Sequence, residues 1–202
     1  IFTDKVSARD ARKYRRRGLD KRARKLVRAL DRQHALRDRT SLEIGIGVGA
    51  LTVEMLRRGV TRATGIDAMA PQLHHARIIA EEAQVADRLE LRQGDFTEMA
   101  AQLNADVVVL DRVICCYPDW RSLLQGAAQD AGTTVAMTYP RDAWYTRLWS
   151  GAANLAMRVL GRAFRFHIHS PRAMHALLRE HGFTPRVIGH HYAWELLIAS
   201  RA

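Results

Sequence analysis

The sequence predicts an α/β protein built as a doubly wound sheet with an antiparallel edge. Three observations predict it. A short apolar run, Leu42, Ile44 and Ile46, ends in glycines spaced two apart at Gly45, Gly47 and Gly49, and a helical pattern starts at once with Ala50, Leu51, Val53, Met55 and Leu56. Strand-like and helix-like stretches then alternate to about His181. Finally, residues 184–190 and 193–200 read as two strands joined tightly enough to form a hairpin.

At 202 residues the chain is most simply one domain with a sizeable core. Its apolar content of 48% is that of a soluble globular protein. No apolar run approaches the roughly 20 residues of a membrane span, and no secretory leader opens the chain, so a cytoplasmic location is expected. Cys115 and Cys116 are neighbours and the only cysteines, which excludes a disulfide framework. The 28 arginines against 4 lysines suggest a GC-rich bacterial genome. The net charge of +11 is local: residues 1–40 carry 15 Lys/Arg and 5 Asp/Glu, whereas residues 41–202 carry 17 and 16. The expected organisation is a basic helical cap, 1–40, packed as one unit with a ligand-binding domain, 41–202. A basic arm can meet nucleic acid, a membrane surface or an acidic molecule, or form a solvated helix face.

Arg9 to Leu36 reads as helix, with Leu19, Ala23, Leu26 and Leu30 as an apolar stripe that docks on the core and Gly18 as a break. Strand, glycine turn and helix at 42–56 form the context of a nucleotide-binding loop, although the spacing is neither G-x-G-x-x-G nor a P-loop. Residues 62–67 read as a second strand ending in Asp67, 18 residues after Gly49. An acid at about that distance accepts hydrogen bonds from ribose hydroxyls in nucleotide-binding α/β folds. Pro71 to Val85 is a helix with proline in its first turn; His74 and His75 lack metal-ligand spacing and are expected at the surface, and no metal site is expected. Residues 88–96 alternate as a third strand ending in Gly94-Asp95-Phe96. Ala105 to Asp111 is a continuous, largely β-branched run, suited to a central strand buried on both faces. A helix from Asp119 to Asp130, a strand from Thr133 to Pro140 and a helix from Asp142 to Leu160 with apolar residues nearly all round follow. Residues 164–169 alternate, and Ser170-Pro171 opens a helix that Gly182 ends.

The series Glu43-x-Gly-x-Gly-x-Gly resembles motif I of the class I S-adenosylmethionine-dependent methyltransferases, and the later segments fall where that family places its other motifs. The resemblance covers nearly the whole chain and implies the family's seven-stranded, Rossmann-like sheet, with S-adenosylmethionine as the cofactor at the carboxyl ends of the strands. It implies cofactor contacts for Glu43, Gly45, Gly47, Gly49, Asp67 and Ala68. It further implies that Asp95 accepts the adenine amino group, that Phe96 flanks the adenine plane, and that Asp111, Arg112 and Val113 line the cofactor. Tyr14, on the N-terminal helix, would close over the ligand. The segment 139–170 is where such enzymes build acceptor specificity.

Methyl transfer from a sulfonium is a displacement on an already activated carbon, so the protein mainly aligns donor and acceptor and excludes water. A base is needed for a hydroxyl, amine or acidic carbon, not for a carboxylate. Candidate bases are His167 and His169, which alternate and so share a face if extended, with Tyr117 and Tyr139 behind them. A packing or surface role competes for each. Tyr117, Arg141, Trp144 and Arg165, with Arg147, are candidates to hold an acidic acceptor. The architecture resembles small-molecule O-methyltransferases, including the magnesium-protoporphyrin branch, so O-methylation of a small to medium, apolar or acidic molecule is expected. The alternatives are an RNA or DNA methyltransferase using the basic arm and a protein that holds the cofactor without turnover. The Asn/Asp-Pro-Pro-aromatic motif of amino methyltransferases acting on nucleic acid is missing from the 111–118 loop, and Cys116 does not follow a proline as a nucleophilic cysteine of such enzymes does.

Overall fold

The computed structural model describes residues 4–99, 103–162 and 164–201. The chain opens with two helices, α1 (Asp4–Arg17) and α2 (Lys21–Arg32). Gly18 separates them in a left-handed conformation, φ +66°, and Asp20 caps α2 by accepting from the Ala23 amide at 2.8 Å. The predicted single stretch thus breaks at the expected glycine, but starts earlier, at Asp4.

The sheet contains β1 (Thr40–Ile44), β2 (Arg62–Asp67), β3 (Leu89–Gln93), β4 (Ala105–Asp111), β5 (Ala131–Pro140), β6 (Phe183–His191) and β7 (Trp194–Arg201). Their spatial order is β3-β2-β1-β4-β5-β7-β6. The first five run parallel, and β7 pairs antiparallel with both β5 and β6. Between the strands lie α3 (Ala50–Leu56), α4 (Ala70–Glu82), α5 (Trp120–Asp130), α6 (Trp144–Val159) and α7 (Pro171–Glu180).

The pleat of β4 explains the two-layered core. Val108 and Leu110 point to one face, where Leu123, Leu124 and Ala127 of α5 and Met174, Leu177 and Leu178 of α7 cover them. Val107 and Val109 point to the other, under Leu26, Val27 and Leu30 of α2, Val53 and Met55 of α3 and Ile79 of α4. The apolar stripe of α2 therefore belongs to the main core, and the basic arm is no free tail. His75, expected at the surface, instead lies beneath α1. Its side chain is only 14% exposed, Asp4 is 3.6 Å from Nε2, and neither ring nitrogen has a hydrogen-bond partner.

Two segments depart from what their local pattern alone would give. Residues 164–169, despite their alternation, join no strand: the Asn154 amide takes both backbone groups of Phe166, at 2.7 and 2.8 Å, and the His167 amide donates to the Cys115 carbonyl at 2.8 Å. Side-chain and loop groups satisfy this strap, so it needs no sheet edge. Helix α6, whose apolar residues nearly encircle it, turns most of them outward.

Candidate active site

The strand order reverses between β1 and β4, and the crevice at their carboxyl ends is where an open α/β sheet binds ligands. A cavity of about 760 Å³ opens there, within the range of small-molecule sites. Its floor is the glycine loop. The Gly45 and Ile46 amides donate to the Ile66 carbonyl at 2.8 and 2.9 Å, which locks the turn to β2. Gly45 has φ +71°, and a β-carbon there would drive into the Val113 side chain. Gly47 has φ +56°, and only the Gln72 side-chain oxygen, at 3.9 Å, lies within reach of an added β-carbon. Bare backbone therefore faces the cavity at this point, as close approach of a ligand requires.

Three carboxylates surround that floor. Asp67 ends β2, and its two oxygens accept separately from the Gly47 amide and the Met69 amide, each at 2.9 Å. Burial raises its pKa against these two bonds. Each oxygen keeps a lone pair for a further donor. Glu43 sits in β1, 3% exposed, opposite Gly65 of β2 and Val109 of β4, and accepts a very short bond from the Thr52 hydroxyl of α3. Burial pushes its pKa up to about 8. Asp111 ends β4 and accepts from the Thr138 hydroxyl at 2.6 Å and from Arg22 of α2.

Arg22 went unnoticed in the sequence. It is 3% exposed, lines the cavity, pairs with Asp111 and Asp20, reaches Thr138 at 3.2 Å and lies under the Trp194 ring. A signal was available: Arg22 falls three residues after Leu19 and four before Leu26, in register with the apolar stripe. The Gln72 amide oxygen, buried and without a partner, was also missed and lines the same cavity beside Gly47.

The predicted cofactor residues converge. Tyr14, Glu43, Gly45, Gly47, Asp67, Ala68, Phe96, Asp111, Arg112 and Val113 all line the cavity. Gly49 stands just behind, packing its α-carbon against Ala76 of α4. The Tyr14 hydroxyl donates to Glu54 at 3.0 Å, and burial beside that carboxylate raises its pKa. Its ring therefore faces the cavity while its hydroxyl is engaged. Asp95 reaches the site through a neighbour: its Oδ1 accepts from the Tyr117 hydroxyl at 2.9 Å, and Tyr117 lines the wall. The Phe96 ring packs into the core beside Gly126 of α5, so its backbone and one edge remain for the cavity. Arg112 holds φ +61°, unusual for a bulky residue, at the turn that ends β4. Both cysteines also line the cavity.

The predicted acceptor residues mostly lie elsewhere. Tyr139 is buried with its hydroxyl between His175, at 3.1 Å, and Glu195, at 2.7 Å, and does not reach the cavity. His169 points Nε2 at the carbonyls of Ile114 and Tyr117, at 3.1 and 3.0 Å, and His167 stacks on it with 5.7 Å between ring centres. Backbone carbonyls draw these rings toward the 114–117 turn, so neither lines the cavity. Burial lowers the His169 pKa. Trp144 projects outward, 77% exposed, Arg141 bonds the Tyr145 hydroxyl, and Arg165 donates to the Arg162 and Phe164 carbonyls. The cavity lining instead includes the aromatic residues Phe164, Phe166, Tyr117 and Trp194 and the exposed Arg9 and Lys13 of α1. The strap 164–169 brings the two phenylalanines there.

Replacing Asp67 by alanine removes a carboxylate that anchors the loop and still has lone pairs to offer. The variant is expected to bind S-adenosylmethionine about tenfold more weakly or worse, read by calorimetry; unchanged affinity would refute a ligand role for Asp67. Glu43 gives a pH prediction. The folded chain keeps a proton on Glu43 up to about pH 8 that the unfolded chain loses near 4.5, so stability falls as pH rises through that window. Glu43→Gln is expected to flatten this fall in urea-unfolding series; parallel curves for the two proteins would contradict it.

Comparison with known proteins gives a consistent result. Residues 42–129 match the family described as "Methyltransferase domain". The ribosomal protein L11 methyltransferase of Haemophilus influenzae (strain PittEE) is 39% identical over 74 residues, 37% of this chain and 24% of that protein. Protein arginine N-methyltransferase 1 of Schizosaccharomyces pombe is 32% identical over 77 residues, 38% of this chain and 22% of that protein. The chain thus spans about a quarter of the length of these curated relatives. Among solved structures, magnesium protoporphyrin IX methyltransferase from Synechocystis PCC 6803, with SAH bound, superposes with a TM-score of 0.72 at 16% identity, covering 100% of this chain and 89% of that one. An O-methyltransferase family protein from Burkholderia thailandensis gives 0.72 at 18% identity, covering 89% and 56%. At such identities the likeness is one of fold.

Proposed function

We propose that this chain is a class I, S-adenosylmethionine-dependent methyltransferase that methylates an oxygen of a small to medium, apolar or acidic molecule, a reading that its matched domain and its fold support. The observation that carries this reading is a single cavity with two unlike kinds of lining. Part of its lining is bare loop backbone, the Asp67 and Glu43 carboxyls and the orphaned Gln72 amide oxygen; another part is the aromatic set Phe164, Phe166, Tyr117 and Trp194.

The residues of the first kind fit the cofactor. Asp67 would accept from the ribose hydroxyls, the Gly45–Gly49 turn would lie against the ligand's polar end, and Asp95 and the Phe96 backbone would take the adenine. The Asp67 carboxylate suits a cationic ligand, and bound S-adenosylmethionine supplies an activated methyl group. The chain's own part is positional. Tyr14 and the 164–169 strap would close the cavity against water, and the aromatic wall would orient the acceptor. Arg112, Arg9 and Lys13 would balance an acidic group. None of the nine histidines lines the cavity, which favours an acceptor that needs no histidine base, such as a carboxylate.

A second reading takes RNA or DNA as the acceptor and draws on the exposed cations of α1. One experiment separates the readings: incubation with labelled S-adenosylmethionine and cell extract, then mass spectrometry of the labelled fraction. A methyl ester or ether of a low-molecular-weight acid is expected. Label in nucleic acid would favour the second reading, label in protein would contradict both, and donor binding with no label would make the chain a holder of S-adenosylmethionine.

A further inference from the structure

We propose that the mouth of the cavity docks on an anionic lipid bilayer, with the outward face of α6 in the headgroup–acyl boundary and the cations of α1 against the lipid charge. The inference goes beyond the acceptor reading and does not need it.

Helix α6 is amphipathic in the wrong sense for a soluble protein. Its inward positions are small or polar: Thr146 and Ser150 are buried, and Asn154 holds the Phe166 backbone. Its outward stripe is Trp144, Leu148, Leu155 and Val159, at spacings of four, seven and four, each between 64% and 79% exposed. Trp149 on one flank and Leu160 beyond the end widen it, and Arg147 and Arg158 border the other flank. A surface helix normally turns such a stripe to the core. Apolar residues and tryptophans outward with arginines alongside are what an interfacial helix presents to lipid.

The second observation is charge. Lys5, Arg12, Lys13, Arg16 and Arg17 of α1 are exposed. Helix α1 lines the same cavity as the Phe164–Phe166 strap, and Asn154 and Trp149 of α6 hold Phe166 of that strap, so the helix that carries the cations and the helix that carries the apolar stripe are both tied to the walls of one cavity. Nucleic acid would use the cations and leave the stripe in water. A second copy would cover the stripe, but each chain carries a net charge of +11, so two basic mouths would repel. An anionic bilayer matches both features and is met by no helix long and apolar enough to cross it among the described residues.

The test is flotation of the intact chain with vesicles of phosphatidylcholine alone or mixed with phosphatidylglycerol. Flotation with the mixed vesicles and a blue shift of tryptophan emission are expected. The double variant Leu148→Glu/Leu155→Glu, both positions exposed, should keep the wild-type melting curve and bind about tenfold less or weaker. Arg12→Glu/Arg16→Glu/Arg17→Glu should lose the preference for anionic lipid. Failure of the wild type to float overturns the proposal. So does flotation that the leucine variant leaves unchanged, which would mean charge alone. A wild-type dimer that the leucine variant turns to monomer, without vesicle binding, would assign the face to a second copy. Binding of RNA but not of vesicles would assign the cations to nucleic acid.

Discussion

Gly47→Val is expected to abolish detectable S-adenosylmethionine binding while leaving the fold in place. Two effects act together. The backbone holds φ +56° at this residue, a conformation that a β-branched side chain adopts only with strain. The added side chain would also meet almost no protein, since only the Gln72 oxygen lies within reach at 3.9 Å, so it would project into the ligand's space. The loop's own amide bond to Asp67 tolerates the change, because the amide remains. Calorimetry should therefore show no heat of binding from a protein with a native circular-dichroism spectrum. Wild-type affinity in that variant would remove the glycine loop from the binding site.

Arg22→Ala should cost about 3 kcal/mol or more of stability, because it leaves the Asp111 carboxylate, only 10% exposed, without its counter-charge. Asp20 and the Trp194 ring lose a partner as well. Urea unfolding measures the loss. Asp111→Ala on the Arg22→Ala background should then cost far less than on the wild type, since the two groups act as a unit. Additive losses would show that Arg22 and Asp111 are energetically independent and that the pair does not tie α2 to the end of β4.

The parts of this molecule that were legible in its sequence are those where one physical constraint dominates. Ala105–Asp111 had to be a strand buried on both faces, because no polar residue interrupts it between its terminal acids, and it forms β4 at the sheet's centre. The glycines of the loop could be read because turn geometry and close packing leave no other residue type. Asp67 could be read because its distance from the loop follows from the length of one crossover helix. Arg22 was hidden by its neighbours: among 15 basic residues in the first forty, one on the apolar stripe looks like the rest until its burial is seen.

The acceptor side was less legible for a different reason. Alternation over 164–169 suggests a strand, but β3 and β6 are the sheet's edges and this segment reaches neither. Its pattern instead turns Phe164 and Phe166 to the cavity and His167 and His169 away from it. Apolar residues nearly encircle α6, yet both faces of the sheet are already covered by the other helices, so the helix is left with its stripe in solvent. Local pattern gives the side on which residues fall; which side meets the core depends on space that distant segments have already filled.

The central claim is that the crevice between β1 and β4 grips an adenosine-bearing sulfonium, and a crystal soaked with S-adenosylmethionine tests it most directly. The expected map shows the donor against Gly45–Gly49, with its ribose on Asp67 and its methyl group turned toward Phe164, Phe166 and Tyr117. A donor seated elsewhere, or a crevice closed by the protein's own side chains at saturating donor, would contradict it.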